Sequence, residues 1–347
     1  MEKAFNWSVI PVIPDESIFS FELCEALFLN YSSPFYPLVR CIITQMGEPY
    51  FVASRDPFIS LIICTRNRKK QLTACLKTLS RIDFPCSRWE LILVDNGSSD
   101  QTSEVIATYK NALQNVKSCF EPIRGLARAR NRGLSLASGD IIAFTDDDCY
   151  PEPNFLAQIA LGFMDEAIDF VAGRVELYSK EDAEITALTL KNQVNFDPGI
   201  FIPTGAIHGA NFAIRRRVME RIGGFDELLG SGTLFSSGED IEFVARASAA
   251  GFRGVYLPGP CVLHHHGRKT FEVPDLMKKY DWGRGAYYAR HFFNKGYGKA
   301  LMKFWLLSLL RDLHAGKIGR PSREILAAIL YSLQRLLHRH SVPHFDK

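Results

Sequence analysis

From residue 58 onward, the sequence alternates between short apolar runs and segments with helical periodicity. Four apolar runs predict buried strands, at residues 58–64, 90–94, 116–120 and 140–145, and the segments between them predict helices. This alternation is typical of βαβ units, whose strands pair in parallel. The sequence therefore predicts an α/β fold with a doubly wound, mainly parallel sheet.

Polar clusters follow three of these strands, at residues 65–68, 95–98 and 146–148. In doubly wound sheets, ligands bind in the crevice outside the carboxyl ends of the strands. Three such ends converging on one crevice predict a single ligand site there.

Three adjacent acids, Asp146, Asp147 and Asp148, end the fourth strand. Adjacent carboxylates repel one another unless a positive charge neutralises them, and Mg²⁺ or Mn²⁺ with oxygen ligands does so. In an extended chain Asp146 and Asp148 would share one side and Asp147 would face the other. The pattern predicts a D-x-D metal site, with a solvated acidic turn as the alternative.

Composition excludes several classes of protein. With 347 residues and 47% hydrophobic content, the chain can form one large or two modest domains. Its eight cysteines form no CxxC pairs, which fits reduced thiols in the cytoplasm. No signal peptide and no apolar run of membrane-spanning length is evident, so we expect a cytoplasmic protein that is not integral to a membrane. The absence of G-x-G-x-x-G and of a P-loop disfavours dinucleotide oxidoreductases and P-loop NTPases.

Seven segments together resemble the family 2 glycosyltransferases, which have the GT-A fold. They occur in the family's order, at residues 60–68, 91–100, 125–133, 145–148, 209–216, 223–227 and 238–240. The resemblance implies an inverting enzyme that uses a nucleotide diphosphate sugar. The Gln-x-x-Arg-Trp motif of processive members is missing, which favours transfer of a single sugar.

The resemblance implies donor and metal residues position by position. Thr65 and Asn67 would border the nucleoside, with Asp95 accepting hydrogen bonds from it, and Arg130 would help to seat the nucleotide. Asp146 and Asp148 match the D-x-D that holds Mg²⁺ or Mn²⁺ against the donor diphosphate, and Asp147 between them is assigned to the donor site. The metal would offset charge on the departing diphosphate.

Asp240, in Gly-Glu-Asp, matches the family's catalytic base, and its neighbour Glu239 is the second candidate. Taken alone, the two acids also suit a helix amino terminus. The resemblance also implies a metal-binding histidine after the last strand of the body. We predict His264 as this ligand, with His266 as the second candidate. The alternatives for the three consecutive histidines are a zinc site or a solvated strand end.

Basic residues concentrate at the carboxyl end. Residues 267–347 hold 16 Lys and Arg against 6 Asp and Glu, and the helical pattern there suits either an anionic membrane surface or packing on the catalytic body. A shorter basic run, residues 215–217, favours a solvated helix start, and the alternative is that one of its arginines meets the diphosphate or an anionic acceptor.

We therefore predict three parts: a small element with a hairpin at residues 1–57, a GT-A catalytic domain at 58–270, and a basic helical extension at 271–347. The catalytic domain would divide into a nucleotide-binding half, 58–150, and an acceptor half, 151–270. The predicted acceptor is a hydroxyl of a glycan, a lipid-linked or a small-molecule compound, and no nucleic acid is expected. The alternatives are a nucleotide-sugar-binding scaffold and a sugar-phosphate nucleotidyltransferase.

Overall fold

The computed structural model describes residues 57–112, 115–337 and 342–343. The predicted element at residues 1–57, with its hairpin, lies outside the described residues except for Pro57. The strands are β1 (Ile59–Thr65), β2 (Trp89–Asp95), β3 (Val116–Phe120), β4 (Ile141–Asp146), β5 (Cys149–Pro151), β6 (Phe170–Leu177), β7 (Val194–Phe196), β8 (Asn211–Arg215) and β9 (Gly254–His264).

Nine α-helices occur within the described residues. They are α1 (Lys69–Leu79), α2 (Thr102–Ala112), α3 (Leu126–Leu134), α4 (Phe155–Gly162), α5 (Arg216–Ile222), α6 (Glu239–Ala249), α7 (Val273–His291), α8 (Gly298–His314) and α9 (Gly319–Leu337). The strands and helices predicted between residues 58 and 145 all form, with ends that differ from the prediction by at most three residues.

The strands form one sheet with the order β3-β2-β1-β4-β8-β6-β9-β5, and β7 pairs with β9. The first half is parallel: β1 pairs with β2 and β4, and β2 pairs with β3. The second half is mixed, because β8 runs antiparallel to β4 and β6 while β6 and β9 are parallel. The parallel half brings the ends of β1, β2 and β4 to one edge, as the sequence predicts.

Complete burial of the central strands explains their apolar sequences. Every residue of β2 is buried, as are all but Cys64 in β1 and all but Asp146 in β4. Helix α3 approaches β1 so closely that a Cβ at Gly133 would lie 2.6 Å from Ile62 Cγ2. The short distance fixes the last turn of α3, one turn beyond Arg130, against β1.

Helices α7 and α9 pack on this body. Tyr287 of α7 donates a hydrogen bond of 2.7 Å to the Ile202 carbonyl, and a Cβ at Gly283 would collide with Ser237. Helix α9 packs on α7 where a Cβ at Gly285 would lie 2.2 Å from the Glu324 carbonyl oxygen. The sequence allowed two interpretations of the basic extension, an anionic membrane surface or packing on the catalytic body. Helix α7 packs on the body, and α9 does so through α7.

None of the helices described here combines the length and the apolar character that a membrane span requires.

Candidate active site

A cavity of about 1290 Å³ opens at the carboxyl ends of β1 and β4. It is lined on one side by the predicted residues of these strand ends and on the other by α6 and α7. The predicted residues that line it are Thr65, Asn67, Arg130, Asp146, Asp147, Asp148, Glu239, Asp240 and His264. Asp95 and His266 are absent from the lining.

The three consecutive aspartates face two different arginines. Strand β4 ends at Asp146, whose Oδ1 lies 3.3 Å from Arg130 Nη2. Asp147 and Asp148 lie in the following turn and share Arg68, whose Nη1 is 2.9 Å from Asp147 Oδ1 and 2.5 Å from Asp148 Oδ2. The predicted alternation, with Asp147 facing away from its neighbours, is therefore wrong, because the extended conformation ends at Asp146 and does not continue to Asp148.

The two turn aspartates have opposite pKa shifts. Burial raises the pKa of Asp147 to about 7, although the charge of Arg68 and a 2.7 Å hydrogen bond from Thr65 oppose the shift. Burial alone would also raise the pKa of Asp148, but His264 and Arg68 hold it well below its usual range. Asp148 is therefore the carboxylate of this pair that stays ionised, as a metal ligand requires.

Asp148 and His264 form a pair that fits a divalent cation. His264 Nε2 lies 3.4 Å from Asp148 Oδ1, and its Nδ1 lies 3.2 Å from Thr186 Oγ1. The contact from Thr186 orients the ring so that Nε2 faces the carboxylate, an arrangement common around metal-binding histidines. Burial alone would lower the pKa of His264, but the hydrogen bond and charge of Asp148 raise it. A cation could replace the proton that His264 shares with Asp148.

The buried thiol of Cys149 lies near the same pair, since its Sγ is within 4.8 Å of ligand atoms of Asp148 and His264. Burial raises the pKa of Cys149 well above its ordinary value. A protonated thiol is a poor metal ligand, and Mg²⁺ and Mn²⁺ prefer oxygen to sulfur. Asp148 and His264 are therefore better ligands for these cations than Cys149.

The two neighbouring histidines have other partners. His266 Nδ1 accepts a hydrogen bond from Arg268 N at 3.0 Å and lies 4.0 Å from Asp182, while its ring packs edge-on to that of His264. His265 Nδ1 lies 3.0 Å from Tyr150 Oη. The three side chains do not converge as a zinc site would require, and His266 sits behind His264.

Arg130 connects the aspartates to α6. It is 2% exposed, its Nη1 lies 2.9 Å from Glu239 Oε1, and its Nη2 donates to the Gly209 carbonyl at 3.0 Å. Burial raises the pKa of Glu239 to about 7, with the charge of Asp240 adding to the effect. Because Glu239 is buried against Arg130, its contacts suit holding that guanidinium in place.

Asp240 lies in the first turn of α6 and lines the cavity. Its Oδ2 accepts a hydrogen bond of 2.6 Å from Gly209 N, and its Oδ1 accepts one of 2.8 Å from Ile241 N. A Cβ at Gly209 would lie 2.8 Å from Asp240 Oδ2 and 2.9 Å from Arg130 Nη2. Gly209 therefore lets the carboxylate and the guanidinium approach the same backbone segment.

The predicted nucleoside residues shape the loops after β1 and β2. Asn67 has a positive φ of 53°, and its Oδ1 accepts a hydrogen bond of 2.7 Å from Ser99 N. Asp95 is buried and accepts a hydrogen bond of 2.8 Å from Ser98 N. Asn67 lines the cavity, whereas Asp95 lies outside the lining and accepts its hydrogen bond from the adjoining turn.

The basic run at residues 215–217 lies at the opposite end of the sheet. Arg215 pairs in register with Ile141, the first residue of β4, and Arg217 Nε lies 2.7 Å from Asp169 Oδ1. Arg216 donates to the carbonyl of Gly139. The suggestion that this run meets a diphosphate is wrong.

Several cavity residues have no counterpart among the predictions. Arg68, His208, Lys279, Tyr280 and Arg284 all line the cavity. Arg68 is a cation directly after β1, and that position was the available signal. Residues of α7 carried only a helical pattern, which does not reveal the surface against which a helix packs.

This fold is that of the GT-A glycosyltransferases. The structure of S. aureus TarS in complex with UDP-GlcNAc matches with a TM-score of 0.55 at 19% identity, covering 70% of this chain and 69% of that one. The mannosyltransferase PcManGT from Pyrobaculum calidifontis, in complex with GDP-Man and Mn²⁺, matches with a TM-score of 0.52 at 19% identity, covering 92% and 98%.

Residues 60–223, just under half of the chain, match the family model "Glycosyl transferase family 2", so the chain carries a domain of that family. Glycosyltransferase AglE of Haloferax volcanii is 28% identical over 236 residues, which cover 66% of this chain and 72% of AglE. The predictions of the family, of the GT-A fold and of a glycosyltransferase enzyme are thereby confirmed.

Proposed function

We propose that the protein is a metal-dependent, inverting glycosyltransferase that moves one sugar from a nucleotide diphosphate sugar to an acceptor hydroxyl. The observation that carries this proposal is the shared cavity. It holds the Asp148–His264 pair on one side and the Asp240 carboxylate, on a separate element, on the other. A cation site and a base facing one space are what a single displacement at a sugar carbon needs.

Donor binding is assigned to the loops after β1 and β2 and to Arg130. Thr65 and Asn67 border the space for the nucleoside, and Asp95 stabilises the turn that shapes it. Two solved GT-A structures were obtained with UDP-GlcNAc and with GDP-Man and Mn²⁺, which supports a nucleotide sugar and a divalent cation here.

Asp148 and His264 would hold Mg²⁺ or Mn²⁺, with Asp146 as the further carboxylate at the strand end. When bound, the metal supplies positive charge that stabilises the departing diphosphate. His266, the second candidate ligand from the sequence, is assigned a supporting role instead. Its ring packs edge-on against the ring of His264, with 5.2 Å between the two ring centroids.

Asp240 acts as the general base. It accepts the proton of the acceptor hydroxyl while the hydroxyl oxygen forms a bond to the anomeric carbon, and the bond from that carbon to the diphosphate oxygen breaks. The nucleoside diphosphate leaves with the bonding electrons, and the anomeric configuration inverts. The hydrogen bonds from Gly209 N and Ile241 N orient the carboxylate for this step.

The acceptor is assigned to the side of the cavity formed by α7, where Lys279, Tyr280 and Arg284 present polar groups. These side chains suit the hydroxyls of a glycan, a lipid-linked or a small-molecule acceptor. TarS carries the name poly(ribitol-phosphate) β-N-acetylglucosaminyltransferase, which supports a glycan-type acceptor.

The test compares two neighbouring acids. Asp240→Asn should lower turnover by about 1000-fold and keep the thermal stabilisation by UDP or GDP with Mn²⁺, because only the base is lost. Glu239→Gln should weaken that stabilisation, because Arg130 loses a charged partner 2.9 Å away. Glu166→Gln, an exposed acid 3.5 Å from Arg215 at the opposite end of the sheet, is the matched control and should change neither.

Release of nucleoside diphosphate from UDP-GlcNAc or GDP-Man in the presence of an acceptor would support glycosyl transfer. Release of pyrophosphate would indicate a nucleotidyltransferase, and nucleotide binding without either product would indicate a scaffold. Wild-type turnover in Asp240→Asn would remove that residue as the base.

A further inference from the structure

Helices α8 and α9 carry an unusual concentration of exposed apolar side chains. Of the 23 large hydrophobic residues exposed in the described chain, 13 lie between Met302 and Leu337. They are Met302, Phe304, Leu306, Leu307, Leu310, Leu313, Ile318, Ile325, Leu326, Ile329, Leu333, Leu336 and Leu337. Exposed apolar surface gathered in one segment marks an interaction site.

The exposed side chains form a stripe on each helix. On α8, Met302, Leu306, Leu310 and Leu313 recur at intervals of three or four residues, while the buried Leu301 and the half-buried Trp305, which donates to Glu324, lie on another side of the helix. A helix with this spacing presents one apolar face. That face is turned away from the contacts that hold α8 to the body.

On α9, Ile325, Ile329, Leu333 and Leu336 recur at the same intervals, opposite the buried Glu324, Ala327 and Tyr331. The buried residues of α9 meet α7, as Gly285 and Glu324 show. The second stripe is thus also left uncovered among the described residues.

The charges around these stripes are basic. Residues 298–337, all of which the structure describes, hold seven Lys and Arg and two acids. Both acids are paired, since Asp312 Oδ2 lies 3.1 Å from Arg320 and the fully buried Glu324 lies 2.7 Å from Arg284 of α7. Arg323 and Arg335 also have acidic neighbours, Asp281 at 2.7 Å and Asp226 at 3.9 Å. Lys299 and Lys303 are exposed on the same side of α8 as the apolar stripe.

We propose that α8 and α9 form a docking surface for an anionic lipid bilayer, with the apolar stripes at the headgroup boundary and the basic side chains on the phosphates. Apolar helix faces bordered by Lys and Arg bind such surfaces. A second copy of the chain is a poorer occupant, because a two-fold interface would bring together two segments that each hold seven Lys and Arg against two acids. The inference does not depend on the proposed catalytic function.

The test is flotation of the full chain with vesicles of phosphatidylcholine alone and of phosphatidylcholine with phosphatidylglycerol. We expect binding to the anionic vesicles that weakens with salt and little binding to the neutral ones. Leu306→Ser with Leu310→Ser should lower binding about tenfold or more, because serine side chains do not insert into the apolar part of the bilayer. Lys299→Glu with Lys303→Glu should lower it to a similar extent.

Met164→Ser with Leu190→Ser is the matched control, because both residues are exposed apolar positions elsewhere on the body, at 68% and 47%. Unchanged thermal unfolding of each variant shows that it folds, and vesicle binding by Asp240→Asn separates docking from catalysis. No binding to anionic vesicles at low salt would overturn the proposal. A second result would also overturn it: sedimentation shows a dimer that becomes a monomer in Leu306→Ser with Leu310→Ser, and the protein binds no vesicles. A second copy of the chain would then cover the stripes.

Discussion

Arg68 and Asp148 form an ion pair with 2.5 Å between Nη1 and Oδ2, although Asp148 is also the carboxylate best placed to bind a cation. The same guanidinium nitrogen lies 2.9 Å from Asp147. Arg68 therefore shares a single positive charge between the two turn aspartates. A divalent cation arriving at Asp148 must compete with this guanidinium.

Arg68→Gln should tighten binding of Mn²⁺ in the absence of nucleotide, by about tenfold, because the cation no longer displaces a charged partner. Electron paramagnetic resonance of free Mn²⁺ measures the dissociation constant directly. The titration belongs at about pH 8, above the Asp147 pKa of about 7, so that protonation does not mask the carboxylate.

Arg174→Gln is the control, because Arg174 is 34% exposed, close to the 35% of Arg68, and pairs with Glu176 at 3.2 Å. It should leave Mn²⁺ affinity unchanged. Weaker Mn²⁺ binding in Arg68→Gln would show that Arg68 supports the site and does not compete with the cation.

Gly209→Ala should lower turnover by about 100-fold while the protein stays folded. The new Cβ would lie 2.8 Å from Asp240 Oδ2 and 2.9 Å from Arg130 Nη2, so both groups must move. Small displacements of a catalytic group have effects of this size. Steady-state release of nucleoside diphosphate measures the change.

Gly296→Ala provides the comparison, because its Cβ would meet only the flexible Asn294 side chain at 3.3 Å and the Gly199 carbonyl at 3.6 Å. If Gly209→Ala keeps wild-type turnover, the position of Asp240 relative to Gly209 is not critical for catalysis.

Glu324→Ala should lower the free energy of unfolding by about 3 kcal/mol, because it removes a fully buried carboxylate that accepts a charged hydrogen bond from Arg284 and leaves the Trp305 Nε1 donor unsatisfied. Glu324 accepts hydrogen bonds from Arg284 of α7 at 2.7 Å and from Trp305 of α8 at 2.8 Å, so it joins three helices. Urea denaturation followed by circular dichroism measures the loss.

Glu181→Ala serves as the matched surface change, since its side chain is 87% exposed and 3.7 Å from Lys269. It should alter the free energy of unfolding by less than about 0.5 kcal/mol. An equally small effect of Glu324→Ala would mean that apolar packing alone holds the three helices together.

The strand ends that form the site were predictable from the sequence. Alternating strands and helices imply parallel strands, and parallel strands bring Thr65, Asp95 and Asp146 to one edge whatever the details of packing. The roles proposed for Asp240 and His264 followed only from the resemblance to the family, because no local pattern ties them to the same cavity.

Other features depended on geometry that local patterns do not contain. The sequence did not reveal that β4 stops at Asp146, so the shared contact of Asp147 and Asp148 with Arg68 was missed. Likewise, the periodicity of α7 predicted an amphipathic helix, but its place along the cavity follows from tertiary contacts such as Tyr287 with Ile202.

The buried side chain of His291 predicts a pH dependence of stability. It lies among Glu242, Arg246, Arg290 and Tyr297, with Nδ1 2.6 Å from the Tyr297 hydroxyl and Nε2 3.8 Å from Glu242 Oε1. Burial lowers the pKa of His291 from 6.5 to about 4, against the opposing charge of Glu242. The folded protein therefore keeps this imidazole neutral where the unfolded chain protonates it.

The sign of the effect follows from proton binding. Above pH 6.5 neither state protonates His291, so its contribution to stability is fully present. Between pH 6.5 and about 4 the unfolded chain binds the proton first, and the contribution is lost as the pH falls, by up to about 3 kcal/mol.

His291→Asn should remove this part of the pH dependence, as measured by urea denaturation at several values between these limits. Asp147 and Glu239, whose raised pKa values are both about 7, favour the folded state as the pH falls and so oppose the His291 effect in the wild type. The difference in unfolding free energy between wild type and variant isolates His291, because both proteins share those acids. A difference that stays constant from pH 7 to pH 4.5 would mean that His291 gains its proton equally in both states, and that the cluster around Glu242 accommodates an imidazolium.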